Sequence, residues 1–256
     1  MTVTITLIGG PTALIEIDGF RLLTDPTFDE PGAYQLPHVK LEKLVGPALS
    51  AQAIGSVDAV LLSHDQHADN LDHSGKALLA RVGRVFTTKA GAGRLGGHVE
   101  GLAPWDTAEL SKPGANSLRI AATPARHGPA GIEPLSGDVI GFVLTPADAD
   151  TRPIYVTGDT VFYAGVAEVE KRFKPGLVMP FAGSARTRGP FHLTMDTNDV
   201  IETAHEFADA VIVPVHHDGW AHFTQSGDDL TKTFGALGFA SRLRMLEPGV
   251  ATTIDY

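Results

Sequence analysis

The chain has 256 residues, 43% of them hydrophobic, and no cysteine. This length is enough to bury one large core, so we expect a single domain over residues 1–256, and the lack of cysteine excludes disulfides, thiolate metal ligands and a thiol nucleophile. The formal net charge of −10 argues against nucleic acid as a partner, because binding to phosphates requires a basic surface.

The N-terminus has no basic leader followed by an apolar core and a small-residue cleavage site, so we predict no signal peptide. No apolar segment reaches the roughly 18 residues that a membrane-spanning helix needs. We therefore expect a cytoplasmic protein without membrane contact. The sequence leaves open whether it forms a homo-oligomer.

The predicted elements begin with short antiparallel strands. Residues 3–25 alternate apolar and polar side chains around two tight turns, at Gly9-Gly10 and Asp18-Gly19, which is typical of a β-meander. Residues 31–56 are rich in proline, glycine and mixed polar side chains, and they predict a long loop over one edge of the sheet. Long loops in compact domains often contribute to function.

The next predicted strand, 58–62, leads into residues 63–70, which read Ser-His-Asp-Gln-His-Ala-Asp-Asn. Two imidazoles and two carboxylates in one short loop resist burial unless a divalent cation offsets the cost of removing them from water. Imidazole nitrogen and carboxylate oxygen are ligands for zinc, manganese and iron. The loop therefore predicts a metal site, and a helix follows it over 72–82.

A glycine-rich segment comes after the next predicted strand, 85–88. Residues 91–96 match the pattern G-x-G-x-x-G, but a dinucleotide site requires this pattern in the first unit of a parallel sheet, with an acidic residue about 20 positions later. Here Pro104-Trp105-Asp106 interrupts the chain instead. We therefore interpret residues 91–96 as part of a short helix and predict no nucleotide site.

Three later strands also end at candidate metal ligands. The strands predicted at 117–122, 154–157 and 210–215 lead, in chain order, to His127, Asp159 and His216. Hydrophobic periodicity predicts the remaining elements as strands at 139–145, 177–180 and 251–254, and as helices over 166–173, 196–208 and after a capping box at 226–229. Because strand ends hold ligands at fixed distances, this recurrence favours a metal centre over isolated histidines.

These motifs resemble the metallo-β-lactamase superfamily. The resemblance is carried by the loop 63–70, by Thr-Pro-Ala-Arg-His at 123–127, by Thr-Gly-Asp-Thr at 157–160, and by Pro-Val-His at 214–216 with Gly-Trp-Ala-His-Phe at 219–223. It covers nearly the whole chain and is strongest toward the branch that contains ascorbate-6-phosphate lactonase and related cytoplasmic hydrolases. It implies an α/β fold, a four-layer αβ/βα sandwich with a mononuclear or dinuclear metal site at the sheet edges.

The resemblance also implies a ligand set. One site would use His64, His67 and His127, a second would use Asp69 and His216 with possible help from Asn70, and Asp159 would bridge the two. The chain departs from the family pattern H-x-H-x-D-H, because it has one extra residue after the first histidine and Asn70 in place of the last. Asp65 is therefore an alternative to His64 as the first ligand, and the cofactor is one or two divalent ions, with zinc or manganese expected.

Residues outside this set are candidates for contacts with the substrate. Trp220 and His222 follow a ligand closely and are expected to line the pocket, although packing explains the indole equally well. Arg186, Arg188 and His192 lie in one loop that could bind an anion, and a solvated loop is the alternative.

We therefore expect a metal-dependent hydrolase that uses a metal-bound hydroxide on a small ester, lactone or phosphate-containing metabolite. Asp69 would steer the nucleophile and pass its proton to the leaving group. Two alternatives stay open: a non-catalytic binding or sensory module with an impaired metal site, and a phosphodiesterase or nuclease, which the acidic charge balance disfavours.

Overall fold

Two facing β-sheets form the centre of the molecule, which a computed structural model describes over residues 2–35, 39–148 and 150–256. The first sheet has seven strands, in spatial order β15 (Ala251–Asp255), β1 (Thr2–Gly9), β2 (Thr12–Ile17), β3 (Phe20–Thr24), β6 (Ala59–Leu61), β7 (Val85–Thr88) and β8 (Val99–Leu102). The strands from β15 to β3 are antiparallel, and those from β3 to β8 are parallel. The predicted β-meander at residues 3–25 is confirmed.

The second sheet has six strands, in the order β14 (Val211–Ile212), β13 (Leu177–Met179), β12 (Ile154–Val156), β11 (Ile140–Pro146), β10 (Leu118–Pro124) and β9 (Thr107–Leu110). The pairs β12–β13 and β13–β14 are parallel, whereas the remaining pairs are antiparallel. Side chains from both sheets, including Ile5, Phe86 and Phe142, form the buried layer between them.

Helices cover the outer faces of both sheets. The first sheet carries α1 (His73–Leu79) and α2 (Lys89–Leu95), and the second carries α4 (Ala164–Phe173), α5 (Thr197–Glu206) and α6 (Gly227–Ala236). Leu78 and Leu79 of α1 pack on the first sheet, and Val200 and Phe234 are buried against the second. This arrangement is the predicted four-layer αβ/βα sandwich. In the part of the chain that the structure describes, every helix is too short or too polar to cross a membrane.

The local sequence explains where several helices begin. Asp72 and Asp196 accept hydrogen bonds from the backbone N–H groups of Gly75 and Asp199, which caps the N-termini of α1 and α5. The predicted capping box is present at α6, where Ser226 and Asp229 bond reciprocally. The glycine-rich segment forms α2, as predicted, with Thr88 as its N-cap.

Some predicted boundaries were wrong. Helix α1 ends at Leu79, not at residue 82, and β14 contains only Val211 and Ile212 of the predicted strand 210–215. The predicted loop 31–56 contains a hairpin, β4 (Gly32–Gln35) paired with β5 (Lys40–Lys43). Most residues of this hairpin are exposed, so the sequence lacks the apolar alternation that marks a half-buried strand. A bridge between Lys43 and Trp220 joins the hairpin to the segment after β14.

Candidate metal centre

Six side chains from four segments meet at one end of the two sheets. His64, His67 and Asp69 follow β6, and the other three, His127, Asp159 and His216, follow β10, β12 and β14. Their potential ligand atoms form two groups that share Asp159, and within each group all of these atoms lie within 4.8 Å of one another. The structure therefore brings together all six residues that the resemblance implies.

The first group contains three imidazoles. His67 Nδ1 lies 2.8 Å from His64 Nε2 and 3.1 Å from His127 Nε2, and His127 Nε2 lies 3.6 Å from a carboxylate oxygen of Asp159. Ring nitrogens that point at one another in this way present several lone pairs to a single point. A cation at that point would be coordinated by all of them.

The second group contains Asp69, Asp159 and His216. His216 Nε2 lies 3.6 Å from Asp69 Oδ2, and His216 Nδ1 lies 3.7 Å from Asp159 Oδ1. The backbone of His216 is left-handed, with φ of 59°, and its N–H donates to the carbonyl of Gly10. Such a conformation is uncommon outside glycine and is stabilised here by the surrounding contacts, which turn the ring toward the carboxylates.

Hydrogen-bond partners at Nδ1 orient two of the candidate ligands, His64 and His127. Ser63 Oγ donates to Asp25 Oδ1 at 2.6 Å and lies 2.9 Å from His64 Nδ1. His127 Nδ1 lies 2.9 Å from the carbonyl oxygen of Leu193. A proton on Nδ1 satisfies each contact and leaves Nε2 free as a ligand atom. Asp25 thus orients His64 through Ser63.

The electrostatics of the centre suit a divalent metal. Burial lowers the pKa of His64 and brings that of His127 to about 3, so both rings are neutral, which is the form that binds metals. Burial, then the neighbouring Asp69 and Asp25, raises the pKa of Asp159, so its carboxylate needs a cation to stay ionised.

Unsatisfied polar atoms point to the same conclusion. Among the described residues, Asp159 Oδ2, Asn70 Oδ1 and both ring nitrogens of His216 are buried without a hydrogen-bond partner. Buried polar atoms without partners are costly, and a bound cation would satisfy Asp159 Oδ2 and one ring nitrogen of His216. The donor set, which consists of imidazoles and carboxylates without thiolates, fits zinc, manganese or iron.

The structure separates the two alternatives for the first ligand. His64 faces the cluster, whereas Asp65 points away and forms a two-point ion pair with Arg94 of α2, with N–O distances of 2.9 and 2.5 Å. Asn70 lies inside the centre, where its Nδ2 donates to Asp159 Oδ1 at 3.3 Å.

A cavity of about 310 Å³ opens onto the centre. It is lined by His67, Asp69 and His127, and by the predicted contact residue His222, whose Nε2 lies 2.9 Å from Asp69 Oδ2. Arg188 also lines this cavity.

Three other predicted contact residues lie elsewhere. Trp220 is buried, packs against Tyr34 with ring centroids 5.4 Å apart, and lines a separate hollow. Arg186 is exposed, and His192 bonds to Asp199 at 3.0 Å. These three residues do not line the cavity at the centre.

Several residues of the cavity wall are not predicted from the sequence. Leu41 comes from the unpredicted hairpin, Leu135 from the four-residue helix α3 (Glu133–Ser136), and Leu193 and Gln66 from loops. Gln66 has one signal in the sequence, which is its position between the candidate ligands His64 and His67. The apolar residues carry no such mark.

Comparisons with known proteins agree with this geometry. The chain is 26% identical over 259 residues to the UPF0173 protein YddR of Bacillus subtilis (strain 168), with 97% of this chain and 99% of the relative covered. A UPF0173 metal-dependent hydrolase of Ignicoccus hospitalis is 24% identical over 270 residues and covers 100% of this chain, with 99% of the relative matched.

Solved structures share the fold. A possible metal-dependent hydrolase from Veillonella parvula matches with a TM-score of 0.82 at 23% identity, covering 99% of each chain. An isothiocyanate hydrolase from Delia radicum gut bacteria matches with a TM-score of 0.81 at 23% identity, covering 99% of this chain and 98% of the other. The metallo-beta-lactamase fold protein YhfI of Bacillus subtilis matches with a TM-score of 0.62 at 16% identity, covering 98% of this chain and 99% of that protein.

The family assignment follows from a model of the beta-lactamase superfamily domain, which matches residues 20–217. The narrower resemblance to the ascorbate-6-phosphate lactonase branch stays a prediction. Because the match spans most of the sequence and the structural neighbours share its layers, this chain belongs to the beta-lactamase superfamily and has the metallo-β-lactamase fold.

Proposed function

We propose that this protein is a metal-dependent hydrolase that acts on a small ester, lactone or phosphate-containing metabolite. The observation that supports this most strongly is the pair of His/Asp groups that share Asp159 beside a cavity. The relative from Ignicoccus hospitalis is named a metal-dependent hydrolase, which agrees with this proposal.

The ligand residues would hold one or two divalent ions, with zinc or manganese expected. When bound, such an ion polarises the bond to be cleaved and makes a water acidic enough to react at neutral pH. His64, His67 and His127 would hold one ion, and Asp69 and His216 a second, with Asp159 between them.

Asp69 is suited to orient the attacking water. Burial alone would raise the pKa of its carboxyl, but the imidazoles of His222 and His216 outweigh burial and hold the pKa well below its usual range. Asp69 is therefore an acceptor at neutral pH, it lines the cavity, and His222 fixes the direction of its Oδ2. In this position it can accept a hydrogen bond from the attacking water and so orient it.

The test is hydrolysis by purified protein loaded with manganese or zinc, across small esters, lactones, phosphate esters and, after its structural neighbour, isothiocyanates. We expect turnover of at least one class, and a loss of about 100-fold or more in Asp159→Asn, a change that keeps the volume of the side chain. Circular dichroism and metal content of both proteins accompany the assay.

The control is Asp228→Asn, because Asp228 is exposed in the first turn of α6 and belongs to neither ligand group. Metal-loaded protein with no hydrolysis on any class would refute the proposal and favour a binding module. Full activity in Asp159→Asn would refute the assigned centre.

A further inference from the structure

The cavity beside the metal centre has a size and a lining that restrict the substrate. Its volume of about 310 Å³ is at the small end of the range for ligand pockets, which is about 300–1,000 Å³. Away from the centre its walls are largely apolar and include Leu41, Leu135 and Leu193. Leu135 is 60% exposed, so an apolar group in the cavity would cover it. The lining therefore suits a small molecule with an apolar portion.

One cation interrupts these apolar walls. Arg188 is half-buried in the cavity lining, and its guanidinium forms no hydrogen bond or ion pair with any residue that the structure describes. Arginines elsewhere at half-buried positions have partners: Arg84 pairs with Glu100, and Arg242 donates to the carbonyls of Ala204, Phe207 and Ala210. A guanidinium without a partner at such a position is an open site for an anion.

The described lining of the cavity offers Arg188 no anion other than Asp69. Asp69 already contacts His222. Arg188 lines the same cavity of about 310 Å³ as the candidate ligands His67, Asp69 and His127. A group bound to Arg188 would therefore lie within one small molecule's length of the ligand residues.

Resting on the proposed hydrolase function, we propose that the substrate is a small amphiphilic anion. Its carboxylate or phosphate binds the guanidinium of Arg188 at two points, its apolar portion packs on Leu135 and Leu193, and the bond to be cleaved faces the metal centre. Of the arginines and the histidine that the sequence places in this loop, Arg188 is the one that lines the cavity.

The test measures binding of non-hydrolysable probes to the manganese-loaded protein by calorimetry. Hexanoate and pentylphosphonate carry the two candidate anions, and hexanamide is the neutral match of hexanoate. We expect the wild type to bind at least one anion about tenfold or more tightly than hexanamide, the scale of a charge-assisted hydrogen bond. The tighter of the two anions identifies the group as carboxylate or phosphate.

Arg188→Gln should remove this preference, and Arg188→Glu should reverse it, while hexanamide binding changes less than about twofold. Because Arg188 bonds to no described residue, neither change breaks an internal contact, and thermal melts check the fold. Arg186→Gln is the matched control, since Arg186 lies in the same loop with its side chain exposed, and it should keep the preference for the anion.

Equal binding of hexanoate and hexanamide by the wild type, binding of no probe, or an anion preference that survives Arg188→Gln would overturn the inference. The inference would also be overturned if Arg186→Gln lost the preference for the anion as fully as Arg188→Gln. These outcomes are distinct from failure of the proposed function, in which probe binding depends on Arg188 but no substrate class is hydrolysed. Conversely, a hydrolase that prefers neutral esters and is insensitive to Arg188→Gln would refute only the inference.

Discussion

At the scale of single residues, Asn70 marks the departure of this chain from the family pattern, because an imidazole is expected there. In the structure Asn70 donates to Asp159, and His222 contacts Asp69 from the cavity side. The Nδ1 atom of His222 is buried without a hydrogen-bond partner among the described residues, and His222 lies 153 positions from Asp69 in the chain. We infer that His222 holds the carboxylate of Asp69 in place for the second ion.

The first prediction concerns His222→Ala. Without the imidazole, Asp69 is free to rotate away from His216, and residues that orient metal ligands typically contribute about 10–100-fold to metal affinity. We therefore expect a loss of this size in the affinity for manganese, measured by competition with a chromophoric chelator. The control is His205→Ala, because His205 is exposed on α5 and its ring packs against Phe239, away from the candidate ligands. Equal affinities of wild type and His222→Ala would contradict the assignment.

The second prediction concerns His192. The hydrogen bond to Asp199 raises the pKa of His192 above 6.5, and the charge of Asp196 raises it further. Partial burial and the charge of Arg186 lower this pKa, but they do not cancel the rise. The folded state therefore holds the proton more tightly than the unfolded state, so the stabilisation is complete below pH 6.5 and is lost as pH rises through the folded pKa.

In urea unfolding, His192→Ala should accordingly lower the free energy of unfolding by about 0.5 kcal/mol at pH 5.5, after allowance for solvent screening, and by almost nothing at pH 9. Asn198→Ala, at an exposed neighbouring position, should show no such dependence on pH. If His192→Ala lowered the free energy of unfolding more at pH 9 than at pH 5.5, the result would contradict a stabilising ion pair at His192.

At the scale of elements, the ligand loop is positioned by the close approach of α1 to the end of the first sheet. A Cβ atom at Gly75 would lie 1.8 Å from the carbonyl oxygen of Pro26, so the helix backbone passes directly over the segment after β3. Asp72 at the N-cap reinforces this contact, because its Oδ2 accepts from the Asp29 N–H and from the buried Lys43 Nζ at 3.0 Å.

The third prediction is that Gly75→Ala destabilises the protein, although alanine normally stabilises a helix by about 1 kcal/mol relative to glycine. The clash is with backbone, which cannot move aside as a side chain can, so we expect a loss of about 3 kcal/mol in urea unfolding. Gly83→Ala is the control, since no atom lies within 4 Å of its Cβ position. If Gly75→Ala left the free energy of unfolding unchanged, α1 would not approach the carbonyl of Pro26 this closely.

The sequence predicts the elements that carry the centre better than those that enclose the cavity. Strands β6 and β12 are runs of buried apolar residues and β10 is largely buried, and a candidate ligand lies three residues after the end of each, so both the strand and its end are visible in the sequence. The hairpin formed by β4 and β5 is largely exposed, and α3 has four residues, so neither produces a hydrophobic period.

The same physical difference limits prediction of the cavity. Metal ligands belong to few residue types, so spacing and type identify them, whereas the walls use leucines that resemble core residues in the sequence. Whether Arg186 or Arg188 faces the cavity depends on the backbone path between β13 and α5, which no period in that loop reveals. The structure was needed to separate them.

At the scale of the whole molecule, the metal should contribute to stability as well as chemistry. The candidate ligands come from segments between residue 64 and residue 216 and lie at the ends of both sheets, so a bound cation would join the two halves of the sandwich. A ligand that binds only the folded state stabilises it by about 2.7 kcal/mol at a concentration 100 times its dissociation constant.

The fourth prediction is a rise of about 5–10 °C in the melting midpoint when manganese or zinc is added at that excess, given the size of the chain. A chelator should reverse the rise, and Asp159→Asn should reduce it because both ligand groups contain Asp159. Calorimetric melts measure the midpoint. An unchanged midpoint, or a full shift in Asp159→Asn, would contradict a shared metal centre.

The convergence of the six ligands on a cation is tested most directly by an anomalous difference map from crystals grown with manganese. We predict a peak about 2.0–2.2 Å from His64, His67, His127 and Asp159, and a second near Asp69 and His216 if two ions bind. A map with no peak among these residues, or with its strongest peak at the half-buried group of His192, Asp196 and Asp199, would contradict the account.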